Sequence, residues 1–402
     1  MSFRYPAGVV GATVTPSGPY QNSTASGAWS LAAQANFKAQ SLWPTAGNAA
    51  PNLYAWGGNG QGQLGLGNTT EKSSPTLVGS LTTWDNIYAN RETTLATKTD
   101  GTLWAWGQNP FGQLGLGNTT YYSSPKQVGS LTTWYKISGG AYITLAIKTD
   151  GTLWSWGRNN RGQLGLGNTT NYSSPKQVGA LTTWSKIAGG LESSFAIKTD
   201  GTLWSWGSNQ NGQLGLGDDG AGTYRSSPTQ VGALTTWSNI DTGRYHAIAT
   251  KTDGTIWTWG NGSSGQLGLG NTTQYNSPKQ VGALTTWLNI SGGLYTSLAI
   301  KTGGTLWSWG YNAQGQLGLG DITNRSSPVQ VGLLTTWLAI ACGYYHAITT
   351  KTDGTLWAWG QGANGRLGLG NITSYSSPKQ VGLSTSWSKI SSGRDYTISV
   401  QS

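Results

Sequence analysis

Few residues in this chain have the types and spacing that catalysis or metal binding requires. His246 and His346 occupy the same place in two copies of a Gly-x-Tyr-His-Ala-Ile stretch, 100 residues apart. The adjacent carboxylates of Asp218 and Asp219 fall short of the oxygen-ligand set of about six to eight that Ca²⁺ takes. The GQLGLG stretches lack the Lys-Ser/Thr of a phosphate-binding loop. We therefore expect no catalytic residue, no metal ligand, no cofactor and no enzymatic activity.

Charge and cysteine content exclude further classes of protein. The formal net charge is +10, but many of the cations recur singly at regular intervals, as at Lys126, Lys176, Lys279 and Lys379. Nucleic-acid-binding proteins concentrate their cations in a stripe or patch, so nucleic acid is not an expected partner. Cys342 is the only cysteine, which rules out an intramolecular disulfide and predicts a small core residue. With no secretory signal and no run of 18 apolar residues, we expect a soluble protein without a membrane span.

The ten-residue phrase KTDGTLWSWG recurs along most of the chain. Its Trp-Gly ends fall at intervals of 50, 50, 50, 53, 50 and 50 residues. A fixed period of this size is typical of a solenoid or a propeller. Six copies are complete, and their Trp-Gly ends lie at Trp106, Trp156, Trp206, Trp259, Trp309 and Trp359; a seventh Trp-Gly, at Trp56, lacks the lead-in.

Each phrase has the pattern of a β-hairpin. Apolar residues alternate on both sides of Asp150-Gly151, a pair that readily adopts the φ > 0 turn of a two-residue hairpin. Period-two geometry places Leu145 and Ile147 on one face of the first strand. The same geometry places Trp154 and Trp156 together on one face of the second strand.

The repeats predict an all-β, seven-bladed propeller over residues 53–402, with about four short strands per unit. The first unit has a Trp-Gly strand at 53–57 without a preceding partner, and the last strand, 396–400, has none after it. We expect these two strands to pair and close the ring, which leaves no bare edge. The units are 53–102, 103–152, 153–202, 203–255, 256–305, 306–355 and 356–402.

Residues 1–52 do not match the repeat and predict an extended N-terminal arm with one short helix at 31–40. Arg4 is one of its two cations, and Trp29, Phe37 and Trp43 are its apolar anchors. Because this segment is poor in core-forming residues, we expect it to attach to the propeller, to a second copy or to a partner.

Comparison of the units shows that the strands barely change while three loops vary. Relaxed constraint on solvent-exposed loops and partner recognition explain such variation about equally well. The recurrence of Tyr, Arg and Asn favours a protein-binding surface. The candidate partner-binding residues are Phe111, Tyr121, Tyr122, Arg158, Arg161, Tyr224, Arg225, Arg244, Tyr245, Tyr344 and Tyr345.

The GQLGLG phrase, the Asp-Gly-Thr-Leu-Trp-x-Trp-Gly strand and the stretch around His246 and His346 resemble the repeats of the RCC1 family of seven-bladed β-propellers. That family includes a guanine-nucleotide exchange factor that also docks on nucleosomes, a plant ultraviolet photoreceptor and a secreted β-lactamase inhibitor, all of which bind other proteins through propeller loops. The resemblance implies that both histidines are structural residues of an inner strand. No stretch matches the photoreceptor's Gly-Trp-Arg-His-Thr motif, and no insertion resembles an exchange wedge. Fold alone does not select among these functions.

The first 44 residues are similar to an N-terminal module of structural proteins from marine tailed phages. This second resemblance favours a non-enzymatic virion protein, of the tail-fibre or capsid-decoration type, that displays the propeller to bind protein or glycan. Its expected partners are other virion proteins through the arm, and a host surface protein or glycan through the propeller loops. The alternative is an intracellular regulatory propeller that binds a small GTPase or chromatin. The expected location is the virion, and otherwise the cytoplasm.

Overall fold

The repeated hairpin forms as a three-residue turn. In the computed structural model, which describes residues 51–401, the N–H of Gly151 donates to the carbonyl of Lys148 at 2.9 Å, and Gly151 has a φ of 78°. Asp150 is not among the residues with positive φ. The expected two-residue turn is therefore wrong: a turn ending in a left-handed glycine is the usual three-residue form.

The side chain of the aspartate in the turn accepts hydrogen bonds from the threonine that follows the turn. The Asp150 Oδ1 atom accepts from the N–H of Thr152 at 2.9 Å and from its hydroxyl at 2.7 Å. The Thr152 hydroxyl in turn accepts from the indole N–H of Trp154 at 2.9 Å. These bonds to Thr152 hold the pKa of the Asp150 carboxyl below its usual value, because they stabilise the charged form.

The described residues contain 28 strands and one 3₁₀ helix, Ala363–Gly365. In chain order the first half comprises β1 (Asn52–Gly57), β2 (Lys72–Leu77), β3 (Trp84–Ala89), β4 (Thr93–Lys98), β5 (Leu103–Gly107), β6 (Tyr122–Gln127), β7 (Trp134–Gly139), β8 (Ile143–Lys148), β9 (Leu153–Gly157), β10 (Tyr172–Gln177), β11 (Trp184–Gly189), β12 (Ser193–Lys198), β13 (Leu203–Gly207) and β14 (Arg225–Gln230). The second half comprises β15 (Trp237–Thr242), β16 (His246–Lys251), β17 (Ile256–Gly260), β18 (Tyr275–Gln280), β19 (Trp287–Gly292), β20 (Thr296–Lys301), β21 (Leu306–Gly310), β22 (Arg325–Gln330), β23 (Trp337–Cys342), β24 (His346–Lys351), β25 (Leu356–Gly360), β26 (Tyr375–Gln380), β27 (Trp387–Ser392) and β28 (Tyr396–Gln401).

The strands form seven antiparallel four-stranded sheets, the blades of a propeller. Blades 1 to 6 are β3–β6, β7–β10, β11–β14, β15–β18, β19–β22 and β23–β26, and blade 7 is β27-β28-β1-β2. The first strands of neighbouring blades, β3, β7, β11, β15, β19, β23 and β27, contact one another around the axis and are the innermost. The strands that begin at the two histidines, β16 and β24, are therefore second from the axis.

The sequence repeat and the blade are out of phase by two strands. The unit 103–152 supplies the outer pair of blade 1, β5 and β6, and the inner pair of blade 2, β7 and β8. The same offset makes β28 pair with β1, where Leu53 lies opposite Val400 and Gly57 opposite Tyr396. The prediction that the ring is closed by these two strands is confirmed.

The hydrophobic core lies between adjacent blades. Trp156 and Trp154 both contact Trp134, with ring centroids at 5.8 and 6.1 Å, whereas Leu145 and Ile147 pack in the next interface along the ring. The predicted faces of the hairpin are thus confirmed, since each sheet serves two interfaces.

The GQLGLG phrase connects neighbouring blades. The indole N–H of Trp156 donates to the carbonyl of Gln113 at 2.9 Å. Gly115, with a φ of 75°, lies so close to this ring that a Cβ atom there would be 2.7 Å from the Trp156 Nε1 atom. The Asn-x-Thr sequences that follow the phrase form turns: the Asn118 Oδ1 atom accepts from the N–H of Thr120 at 3.0 Å.

The predicted arm, its helix at 31–40 and the attachment residues Arg4, Trp29, Phe37 and Trp43 lie outside the described residues. Within the described part of the chain, no helix has the length and apolar character needed to cross a bilayer.

Candidate protein-binding surface

Two sets of loops lie on the same side of the propeller, which we name the loop face. The inner loops join the innermost to the second strand and comprise residues 90–92, 140–142, 190–192, 243–245, 293–295, 343–345 and 393–395. The long loops join the third to the outer strand and comprise residues 58–71, 108–121, 158–171, 208–224, 261–274, 311–324 and 361–374. Antiparallel strands place both sets at one end, while the Asp-Gly turns lie on the opposite side, the hairpin face.

All eleven residues predicted from loop variation lie on the loop face. Phe111, Tyr121, Arg158, Arg161 and Tyr224 belong to long loops. Tyr122 and Arg225 are the first residues of the outer strands that follow these loops, and Arg244, Tyr245, Tyr344 and Tyr345 belong to inner loops. Residues scattered over 235 positions of sequence therefore share one surface.

A cluster of aromatic rings and guanidinium groups extends across blades 1 to 3. The ring of Phe111 packs edge-on against that of Tyr142, with centroids 5.1 Å apart. The Arg158 guanidinium lies 5.2 Å from the Phe111 ring and forms a 3.2 Å ion pair with Glu192. Arg91 lies 5.1 Å from the Tyr142 ring. Stacked Arg and aromatic side chains of this kind are typical of protein interfaces.

The long loop of unit four contains a three-residue insertion around 218–222 and forms a second contact. The Arg161 guanidinium lies 4.8 Å from the ring of Tyr224. The two carboxylates of the insertion are already engaged, since Asp218 pairs with Arg225 and Asp219 accepts from Gln274 at 2.6 Å. Among residues 51–401, no group of three or more His, Cys, Asp or Glu side chains is arranged to hold a metal ion.

Two of the predicted residues have contacts that recur elsewhere in the ring. The Tyr122 hydroxyl accepts from Asn118 at 3.2 Å, as the Tyr275 hydroxyl does from its own loop asparagine. The Arg225–Asp218 pair has a counterpart in Arg325–Asp321 of blade 5. We interpret both contacts as supports of the long loop.

Near the axis, the inner loops surround the mouth of a cavity of about 80 Å³. Arg91, Arg244 and Tyr344 contribute to its lining. Burial raises the pKa of the Tyr344 hydroxyl to about 12, although the nearby guanidinium groups of Arg91, Arg244 and Arg394 act in the opposite direction. Tyr344 therefore stays neutral over the physiological range and can donate a hydrogen bond.

Sequence reasoning missed several residues of this surface. Arg91, Tyr142 and Glu192 occupy the same variable inner loops as the predicted Arg244 and Tyr344. Their positions in the aligned repeats were a sufficient signal.

A further missed residue, Arg366, replaces the glutamine of GQLGLG. It is 3% exposed and pairs with Asp395 at 3.1 Å. Its carbonyl accepts from the indole of Trp56 at 3.0 Å. The replacement of glutamine by arginine in this one repeat is the sequence feature that identifies it.

The two histidines hold neighbouring blades together. The His246 Nε2 atom lies 3.0 Å from the Ser297 hydroxyl, and His346 Nε2 lies 3.0 Å from the Thr397 hydroxyl. Burial lowers the pKa of His246 to about 4, because the charged form loses hydration. The two side chains belong to separate interfaces, as expected for structural residues.

Cys342, expected as a small core residue, packs against the hydrophobic cluster of one blade interface. It ends an innermost strand and lines the axial cavity, where it is partly buried. Burial raises the pKa of its thiol, which keeps it protonated.

The fold and this surface define a class: a seven-bladed propeller with polar and aromatic side chains on its loop face. The family model described as "Regulator of chromosome condensation (RCC1) repeat" matches residues 52–88, 100–147, 150–197, 200–250, 253–300, 303–349 and 353–400. The chain belongs to the RCC1 repeat family. Comparison with curated protein sequences finds no match.

Solved structures show the same fold at low sequence identity. Yeast RCC1 (Prp20) bound to Kap60 is 19% identical, with a TM-score of 0.78 over 88% of this chain and 89% of that one. Prp20p from Saccharomyces cerevisiae, described with its binding properties to Gsp1p and histones, is 20% identical, with a TM-score of 0.77 over 88% and 91%. Human WBSCR16 is 22% identical, with a TM-score of 0.78 over 88% and 99%.

Proposed function

We propose that this chain is a non-enzymatic binding protein whose loop face holds a protein partner. The observation that carries the proposal is the gathering of all eleven variable residues on one face, where Tyr, Phe and Arg side chains stack. Tyr and Arg are enriched in the energetically dominant contacts of interfaces. The structure of Prp20 in complex with Kap60 supports a protein as the class of partner.

A variant of the loop face tests this proposal. Tyr121→Ser, Arg161→Glu and Tyr345→Ser alter one residue in each of three blades and leave the buried core intact. Proteins captured from a lysate of the source organism would be identified by mass spectrometry, purified and measured by biolayer interferometry. We expect at least about tenfold weaker binding for the triple variant, because a few anchor residues supply most of the affinity.

The hairpin face offers a matched control. It carries exposed leucines, among them Leu131 at 47%, Leu333 at 92% and Leu383 at 93%. Their triple replacement by Ser removes apolar surface of comparable extent and should leave the affinity unchanged. If the leucine variant loses the partner and the loop-face variant keeps it, the proposed surface is wrong.

We further propose that the propeller is displayed on a phage particle. This proposal is supported by the resemblance of residues 1–44 to phage structural proteins, and these residues lie outside the described part of the chain. Immunogold labelling of purified particles with antibodies against the propeller tests it. Gold at the tail tip would indicate host recognition, and gold over the head would indicate capsid decoration. Unlabelled particles, with the protein free in cell extract, would overturn it and favour the intracellular alternative.

A further inference from the structure

The axial cavity has a cationic mouth on the loop face. Arg91 of blade 1 and Arg244 of blade 4 line it from nearly opposite sides of the ring, and Tyr344 of blade 6 lines it between them. Arg394 of blade 7 is close as well, since its N–H donates to the Arg91 carbonyl at 3.2 Å. All three guanidinium groups act on the pKa of the Tyr344 hydroxyl. Three guanidinium groups of the inner loops therefore lie near one phenol.

Two of these cations lack a compensating carboxylate within the described residues. Arg394 forms ion pairs with Glu92 at 3.0 Å and Asp395 at 3.4 Å. Neither Arg91 nor Arg244 has a carboxylate within ion-pair distance in residues 51–401. A guanidinium group without a neighbouring carboxylate is available to attract an anionic ligand.

Both uncompensated guanidinium groups also have an unused donor. Their Nε atoms are buried and have no acceptor among the described residues. Aromatic contacts hold the groups in place: Arg91 stacks on Tyr142 and donates to its hydroxyl, and Arg244 lies 4.8 Å from the Tyr245 ring. A buried donor without an acceptor costs about 1–3 kcal/mol, and more for a charged group, so such a group calls for a missing partner.

The walls of the cavity limit the size of that partner. At the mouth, the backbones of neighbouring inner loops are closely packed. A Cβ atom at Gly243 would lie 2.4 Å from the Gly293 carbonyl oxygen, and one at Gly343 would lie 2.7 Å from that of Gly393. A volume of about 80 Å³ has room for a few water molecules or one small polar group.

The nearest acid of the innermost strands is already satisfied. Asp241 accepts from the N–H groups of Thr242 at 2.8 Å and Gly292 at 3.1 Å. Burial raises the pKa of its carboxyl to about 6. Its two backbone bonds direct this carboxyl toward the strands, so it does not neutralise the arginines of the mouth.

We propose that the cationic mouth binds a carboxylate, supplied by an aspartate or glutamate side chain that the protein partner inserts along the axis. The inference rests on the proposed function of the loop face and adds the chemistry of its central contact. Arg91 and Arg244 would donate to the carboxylate oxygens, and the neutral Tyr344 hydroxyl would supply a further donor. Charge-assisted bonds of this kind are about twice as strong as neutral ones.

Blocked peptides and small anions test the carboxylate specificity. The probes are acetyl-Gly-Gly-Glu-Gly-Gly-amide, the same peptide with Gln in place of Glu, sodium glutarate and inorganic phosphate, each titrated by calorimetry at low salt. We expect the Glu peptide and glutarate to bind and the Gln peptide not to bind. Equal binding of both peptides, or binding of phosphate without binding of either carboxylate, would overturn the proposal.

Arginine variants locate the site. Arg91→Gln with Arg244→Gln should weaken binding of the Glu peptide by at least about tenfold, because both charge-assisted contacts are lost. Arg325→Gln is the matched control, since Arg325 lies on the same face but is paired with Asp321. Far-ultraviolet circular dichroism checks that each variant folds. Equal affinity of the double variant and the wild type for the Glu peptide would refute the site.

The two proposals fail in different ways. If the captured partner binds Arg91→Gln/Arg244→Gln as tightly as the wild type but loses the loop-face triple variant, the binding face stands and the carboxylate contact is wrong. The opposite outcome is that replacement of the hairpin-face leucines abolishes partner binding while the Glu peptide still binds at the arginines. The proposed function is then wrong, and the carboxylate site stands as a site for a free acid, not for a side chain of the partner.

Discussion

Removal of the closing strand should destabilise the whole ring. Strand β28 lies between β1 and β27 in blade 7, so it is bonded on both edges. Deletion of residues 396–402 would leave each neighbour with a row of unpaired backbone groups. Blade 7 would be split into two unconnected halves, and the first and last repeats would lose their only sheet in common.

The expected cost follows from burial. Tyr396 and Ile398 are 0% exposed and Val400 is 1% exposed. At about 1.5–3 kcal/mol for each fully buried large side chain, their loss amounts to roughly 5–9 kcal/mol. A typical domain has a total stability of about 5–15 kcal/mol. The truncated chain should therefore lose cooperative unfolding or melt far below the full-length protein.

Thermal and urea unfolding, followed by circular dichroism, measure this effect. Two point variants provide a milder test than the deletion. Ile398→Ala alters the closing strand and Ile348→Ala alters the matched position of blade 6; both isoleucines are 0% exposed in the native protein. Each should cost about 2–5 kcal/mol. The stabilising role of β28 is refuted if the truncated protein melts within a few degrees of the full-length chain. It is also refuted if Ile398→Ala lowers the free energy of unfolding by less than about 1 kcal/mol while Ile348→Ala lowers it by the expected amount.

Two further predictions concern the repeat glycines and the buried histidines. In urea unfolding, Gly115→Ala should lower the free energy of unfolding by about 1–3 kcal/mol more than Gly129→Ala does. Both glycines have positive φ, but only at Gly115 would the new Cβ atom meet Trp156. Equal losses would show that the contact with Trp156 does not matter. Because burial lowers the pKa of His246 to about 4, the folded state binds fewer protons than the unfolded state between pH 6.5 and 4. The free energy of unfolding should therefore fall as the pH drops through this window, by up to about 3 kcal/mol for this histidine. The variant His246→Thr, which introduces the residue found at the matched position Thr296, should lose stability less steeply. Parallel pH profiles would show that His246 does not contribute.

Much of the fold followed from the period and the alternation of the repeat. Those two features were sufficient for seven blades, for the shared face of Trp154 and Trp156, and for the pairing that closes the ring. The order of strands within a blade did not follow, because β7 and β8 both carry apolar side chains and each could have faced the axis. The turn at Asp150 was also misjudged, since three-residue and two-residue hairpins share the Asp-Gly signal.

The candidate surface was predictable only in part. Loop variation identified Phe111 and Arg158 separately, but their stacking depends on the rotation between blades, which a repeat sequence does not encode. Tyr122 was selected for its residue type, although its bond to Asn118 is a repeated support of the loop. The variable inner loop marks Arg91 as a candidate, but its lack of a counter-charge becomes evident only when the inner loops are placed around the axis.

The offset between repeat and blade has a consequence for how such a gene changes length. A tandem duplication of one 50-residue unit adds the outer half of one blade and the inner half of the next, so every junction in the longer chain is one that already exists. The first and last halves still meet in a shared sheet, whatever the number of copies between them. Unequal recombination can therefore add or remove repeats without creating a new kind of interface, and the number of blades is limited by the curvature of the ring.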